Sequence, residues 1–110
     1  MCNAGVLLNE RSETAEGHEV TFASHLLFGS FYLGRLLKPR MDKSEGRIVF
    51  VSSGGMYNTK WPAWPVAVGA RDSTEPYSGN MAYAYAKRGQ VLLARYWAQK
   101  WQATGPKVVR

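Results

Sequence analysis

With 110 residues, 45% hydrophobic and 20% charged, the chain has room for one small globular domain, and its composition excludes a disordered polymer. The formal net charge of +6 permits contact with nucleic acid or anionic lipid. The Lys and Arg residues are scattered with no run of like charge, so no nucleic-acid partner is expected. No apolar run approaches the roughly 20 residues that cross a bilayer. Cys2 is the single cysteine, which excludes an internal disulfide and a cysteine-rich zinc site. His18 and His25 fit no HExxH pattern, so no metal is expected. The N-terminus has no basic flank ahead of an apolar stretch, and a reducing, cytoplasmic setting is the simple expectation.

In chain order, residues 1–5 read as the tail of a strand ending in a glycine turn, and a polar stretch follows. Val20, Ala23, Leu26, Leu27, Leu33, Leu36 and Leu37 recur at helical spacing and predict a helix over about residues 16–38, closed by Pro39. The β-branched and aromatic run over residues 47–52 predicts a strand buried on both faces, as in a parallel sheet. Residues 54–80, rich in Gly, Pro and Trp, have no sustained period and predict a long functional or mobile loop. A second long helix is predicted over residues 81–103, ended by Gly105 and Pro106, with a strand beginning at Lys107. This order is strand end, helix, strand, loop, helix, strand start. The alternation argues an α/β fold, the C-terminal half of a Rossmann-type, doubly wound parallel sheet. Ligands in such sheets bind beyond the carboxyl ends of the strands.

Three places carry the residue types for chemistry. Tyr83 and Lys87 are four apart in a predicted helix, so phenol and ammonium share a face, and a nearby cation favours phenolate. Such a pair exchanges protons near neutral pH, although Tyr-x-x-x-Lys alone is a weak motif and also fits a surface pair. The Ser52–Ser53–Gly54–Gly55 turn follows the best strand, where a hydroxyl can bond a substrate carbonyl, or simply form a turn. Residues 29–36 are a near miss for a phosphate loop without its Lys, and Val51 stands where a hydrolase nucleophile elbow needs glycine.

Cys2-Asn3-Ala4-Gly5, then residues 48–54, then Tyr83 to Lys87 occur in the order in which the short-chain dehydrogenase/reductase family carries its motifs. The chain resembles that family along its whole length. Residues 51–57 and 82–91 are most like those of its dehydrogenase/reductase member 12 group. The resemblance implies an NAD(P)-dependent oxidoreductase acting on a small carbonyl or alcohol, with NAD or NADP as cofactor. It implies Tyr83 as proton donor or acceptor, Lys87 as its partner and ribose ligand, and Ser53 as the residue that orients the carbonyl. Asn3, Ala4 and Gly5 would line the cofactor crevice together with Tyr83 and Lys87.

Ser53 and Tyr83 are 30 positions apart, more than in the commonest members. The intervening Gly55, Met56, Tyr57 and Trp61 are candidate substrate contacts, with Trp64 nearby; apolar and aromatic groups suit an apolar substrate wall or loop packing alike. His25 stands where the family usually has an asparagine that holds a proton relay. Cys2 replaces the first asparagine of the family's Asn-Asn-Ala-Gly. No counterpart of the glycine-rich pyrophosphate turn occurs, so residues 1–110 are expected to form the catalytic half of a partial NAD(P)-binding domain, weakly active by itself. The resemblance also implies a homodimer through the two long helices. Two alternatives stay open: a non-catalytic interaction or dimerisation module, and a basic nucleic-acid binder that uses Trp and Tyr as stacking platforms.

Overall fold

The apolar spacing that marks the first helix builds one continuous helix of mixed type. In the computed structural model, which describes residues 1–110 apart from the side chain of Asn58, it opens with α1 (Val20–Phe22) and continues as a π-helical segment, Ala23–Tyr32. It ends as α2 (Leu33–Leu37) and a 3₁₀ turn, Lys38–Arg40, that contains Pro39. Glu19 is the N-cap. Its carboxylate accepts from the backbone N–H groups of Thr21 and Phe22, so residues 16–18 lie outside the helix. A π-helix shifts the hydrogen-bond ladder by one residue and is rarely long. Here it is braced from the neighbouring helix: Gln90 Nε2 donates to the His25 carbonyl at 3.0 Å and to Ser30 Oγ at 2.9 Å.

The second long helix is α4 (Gly79–Lys100), numbered after the short α3 (Trp64–Ala67). Ser78 caps it by accepting from the Met81 N–H at 3.4 Å. It closes at Trp101, earlier than residue 103, and Gly105 follows at a φ of 55°, where a Cβ would meet the Lys43 carbonyl oxygen at 2.0 Å.

β1 (Arg47–Val49) pairs in parallel with β2 (Lys107–Val109), with Ile48 opposite Val108. On the other side of β1, Cys2 forms a parallel bridge with Phe50: its N–H donates to the Val49 carbonyl at 2.6 Å, and its carbonyl accepts from Val51 N–H at 3.2 Å. The central strand therefore has a parallel neighbour on each flank, as the alternating pattern predicts. The regular strand is shorter than residues 47–52, and the first segment contributes a single bridge.

Side chains alternate along a strand. Ile48 and Phe50 point toward the helices and are 3% and 1% exposed. They join Ala94, Trp97 and Trp101 in the core cluster, with Trp97 stacked on Phe31 at 6.0 Å and on Trp101 at 4.5 Å between ring centroids. The residues between them, Val49 and its partner Val109, take the other side, where Val109 is exposed. The shortest dimension of the molecule, 20 Å, fits one layer of helices on one layer of sheet.

The stretch read as a structureless loop contains a 3₁₀ turn, Gly54–Asn58, and α3. An ion-pair clasp ties its far end to the N-terminal segment. Arg11 Nε donates to the Gly69 carbonyl at 2.8 Å, and both Arg11 and Arg71 pair with Glu13. Arg71 first, then Arg11, holds the Glu13 carboxyl down to about 2.

Candidate active site

The turn after the first segment, the end of the central strand and the first turns of α4 meet around a cavity of about 210 Å³. Asn3 and Gly5 line it from one side, Ser52 from the strand end, and Tyr83 and Lys87 from α4. His25 and Val6 complete its wall. Helix spacing puts Lys87 one turn beyond Tyr83, and its Nζ lies 5.7 Å from the Tyr83 ring centroid. Lys87 is 3% exposed and donates to the Val51 carbonyl at 2.8 Å. Burial lowers its pKa, because the charged form loses water.

His25 is fully enclosed. Its Nε2 lies 2.8 Å from the Val6 carbonyl oxygen and 2.9 Å from the Val6 amide nitrogen, while Nδ1 has no hydrogen-bond partner among the described residues. Its ring meets that of Tyr83 edge to face at 5.2 Å. Gly5 has to be glycine for this arrangement, since a Cβ there would lie 1.9 Å from His25 Cε1. Burial, and more weakly the charge of Lys87, lowers the His25 pKa below 6.5 against the opposing hydrogen bond to Val6. The unfolded chain therefore binds this proton first as pH falls, and stability drops below about pH 6.5. Urea titrations at stepped pH are expected to show that loss, and His25→Asn is expected to remove it; an unchanged pH dependence in the variant contradicts the assignment.

The two serines part company. Ser52 continues the alternation of Ile48 and Phe50, lines the cavity, and its hydroxyl donates to the sulfur of buried Met56 at 3.1 Å. Ser53, itself extended, caps the 3₁₀ turn by accepting from the Gly55 N–H at 3.3 Å, and it is absent from the cavity lining. Sequence reasoning singled out Ser53 by family register; strand alternation was the signal for Ser52. Of the candidate substrate contacts, Met56 is buried behind Ser52, while Gly55 and Tyr57 are exposed. Trp61 lines a different cavity, between the two long helices. Ala4 is exposed and lies outside the lining.

What the arrangement can do chemically is exchange a proton at a phenol oxygen beside a buried ammonium, next to a hydroxyl and a backbone turn that carries an asparagine. The chain is similar to several known proteins along most of its length. Over 98 residues, 88% of this chain, it is 38% identical to human dehydrogenase/reductase SDR family member 12, and over 102 residues 36% identical to the Bos taurus protein of the same name. It is also 36% identical to human retinol dehydrogenase 12 over 94% of its length. The matched stretch covers 29% of each SDR family member 12 protein and 31% of the retinol dehydrogenase, so the chain spans about three-tenths of the relatives it matches. No family model matches, and no solved structure matches. Over the matched stretch the chain is similar to members of the short-chain dehydrogenase/reductase family. Within that family it is similar to SDR family member 12 and to retinol dehydrogenase 12, as the motif at residues 51–57 and the helix at 82–91 lead one to expect.

Proposed function

We propose that this site belongs to an oxidoreductase that interconverts a carbonyl and an alcohol, with Tyr83 as the residue that delivers or removes the proton. The observation that carries the reading is the shared cavity: Tyr83, Lys87, Asn3 and Gly5, drawn from the two ends of the chain, line one space. Lys87 holds a positive charge beside the ring where negative charge develops on the phenol oxygen as the proton leaves. The hydroxyl role falls to the Ser52–Ser53 pair. Family register implies Ser53, and the cavity favours Ser52. A nicotinamide cofactor, NAD or NADP, would supply or take the hydride. The donor set fits its nicotinamide-ribose end, with Lys87 and Asn3 placed to meet hydroxyl and amide groups. The retinol dehydrogenase relative and buried Met56 beside Ser52 support an apolar substrate.

The test is consumption of NADPH or NADH in the presence of a panel of aldehydes and ketones that includes retinal. Carbonyl-dependent consumption that saturates with substrate is the expected result, slow in these 110 residues because they hold no glycine-rich pyrophosphate turn. Consumption indifferent to every carbonyl, in a longer polypeptide that carries such a turn, overturns it.

A further inference from the structure

His25 borders the cavity around Tyr83 with a ring nitrogen to spare. The ring itself is held in place. Gln90 Nε2 and the Ser30 hydroxyl both donate to the His25 backbone carbonyl. Gly5 lies against the ring edge, where a Cβ would come within 2.6 Å of either nitrogen. A neutral imidazole carries one proton, on one nitrogen or the other. With the proton on Nδ1, an enclosed donor has no acceptor among the described residues, and its desolvation goes uncompensated. With the proton on Nε2, it is donated to the Val6 carbonyl at 2.8 Å, and the Val6 N–H left over belongs to an exposed residue within reach of water. The second arrangement is the better one. It leaves a lone pair on Nδ1, enclosed and unpartnered, on a residue that is 1% exposed and shares its cavity with Tyr83. Among the residues lining that cavity the other titratable groups are Tyr83 and Lys87, both from α4; the N-terminal turn and the strand end bring none. No carboxylate is there to hold the ring as imidazolium.

Resting on the redox reading above, we propose that His25 carries protons to and from Tyr83 through its free Nδ1, acting through the tyrosine and touching no substrate. In alcohol oxidation the Tyr83 phenolate takes the hydroxyl proton of the alcohol as the hydride leaves for the cofactor. The phenol then passes that proton to the Nδ1 lone pair, and the phenolate is restored beside the Lys87 ammonium. The imidazolium so formed keeps its Nε2 proton on the Val6 carbonyl and loses the Nδ1 proton to water. Carbonyl reduction runs the same steps backwards. The two rings meet edge to face at 5.2 Å, and a cavity of about 210 Å³ with polar walls has room for a water between Nδ1 and the phenol oxygen. Burial, and then the Lys87 charge, keeps the ring neutral above about pH 6.5, so Nδ1 is free to accept at neutral pH. Below that range the ring is protonated and can only donate. An asparagine side chain can hydrogen-bond in the same place but takes up no proton, so it cannot do this work.

Two measurements test this. Heteronuclear NMR of the imidazole nitrogens in the unsubstituted chain needs no substrate, and is expected to show the proton on Nε2 and a bare Nδ1; a ring protonated on Nδ1 at neutral pH overturns the proposal. The second measurement is kinetic, in a polypeptide that carries a pyrophosphate turn. His25→Asn is expected to lower kcat about tenfold or more near neutral pH. It is also expected to remove the fall in alcohol oxidation that the parent shows as pH drops below about 6.5. His25→Ala is then assayed with added imidazole and with methylimidazoles matched in size but not in basicity. Recovered rates that follow basicity mark proton transfer, whereas recovery that follows size alone marks a filled hole and overturns the proposal. A His25→Asn variant with the parent's kcat and pH profile overturns it too. A parent indifferent to every carbonyl and alcohol sinks the redox reading and this role together; an active parent with any of the contrary results sinks the role of His25 alone.

Discussion

Tyr83→Phe is expected to lower kcat by about 10²–10⁴-fold, the range that a positioned general acid or base contributes. The substitution removes one oxygen and leaves the ring, which packs edge to face on His25 and under the Lys87 ammonium, in place. Cofactor affinity and the thermal midpoint should therefore change little. A loss confined to kcat is the signature of an interaction made in the transition state and not in the ground state. Steady-state kinetics on the protein that carries out the proposed carbonyl reduction, paired with cofactor titration, measure the two effects separately. A variant that keeps near-parent kcat ends the proton-transfer role. One that loses folding along with rate would instead make Tyr83 a packing residue. Ser52→Ala and Ser53→Ala belong in the same experiment, because the larger loss identifies which hydroxyl meets the substrate.

Trp97→Ala is expected to unfold the chain under conditions in which the parent is folded. Trp97 is 2% exposed and touches every part of the core: Phe31 of the first helix, Phe50 of the central strand and Trp101 beyond α4. Its six-membered ring also fills the space at Gly34, where a Cβ would approach to 2.6 Å. Truncating a buried tryptophan typically costs about 3–5 kcal/mol, against about 5–15 kcal/mol for the whole of a typical domain. A sheet covered on one side starts near the lower end of that range, since it buries less apolar surface. Urea titration followed by far-ultraviolet circular dichroism gives the answer. A midpoint within experimental error of the parent would mean that the stacked aromatic cluster is not what holds helix to sheet.

How far the sequence discloses this molecule depends on which interactions are local. The two long helices and the central strand were legible because apolar spacing and β-branching act over a few residues, as in Leu33, Leu36 and Leu37 or in Ile48 to Phe50. The π-register of Ala23–Tyr32 was not legible: the same apolar positions fit either ladder, and the brace from Gln90 comes from 60 to 65 residues away. Helix α3 was invisible because four residues hold no period. At the site, the approach of Tyr83 to Lys87 follows from helix geometry alone, and the gathering of Asn3, Gly5 and Tyr83 follows from parallel strand order. Ser52 against Ser53 turned on a single step of strand alternation, which a short motif does not specify. The placement of Trp61 against the helices depended on the path of the connection, and that path is pinned by Arg11, Glu13 and Arg71, three residues whose meeting no local pattern announces.

The open side of the sheet is a surface that calls for a second layer. Parallel ladders elsewhere are sealed above and below, whereas here Val49 and Val109 lie on a side that no described helix covers. Such a surface is what holdase chaperones grip and what promiscuous self-association exploits. Those valines are where any further layer laid on the sheet would gain the most buried apolar area.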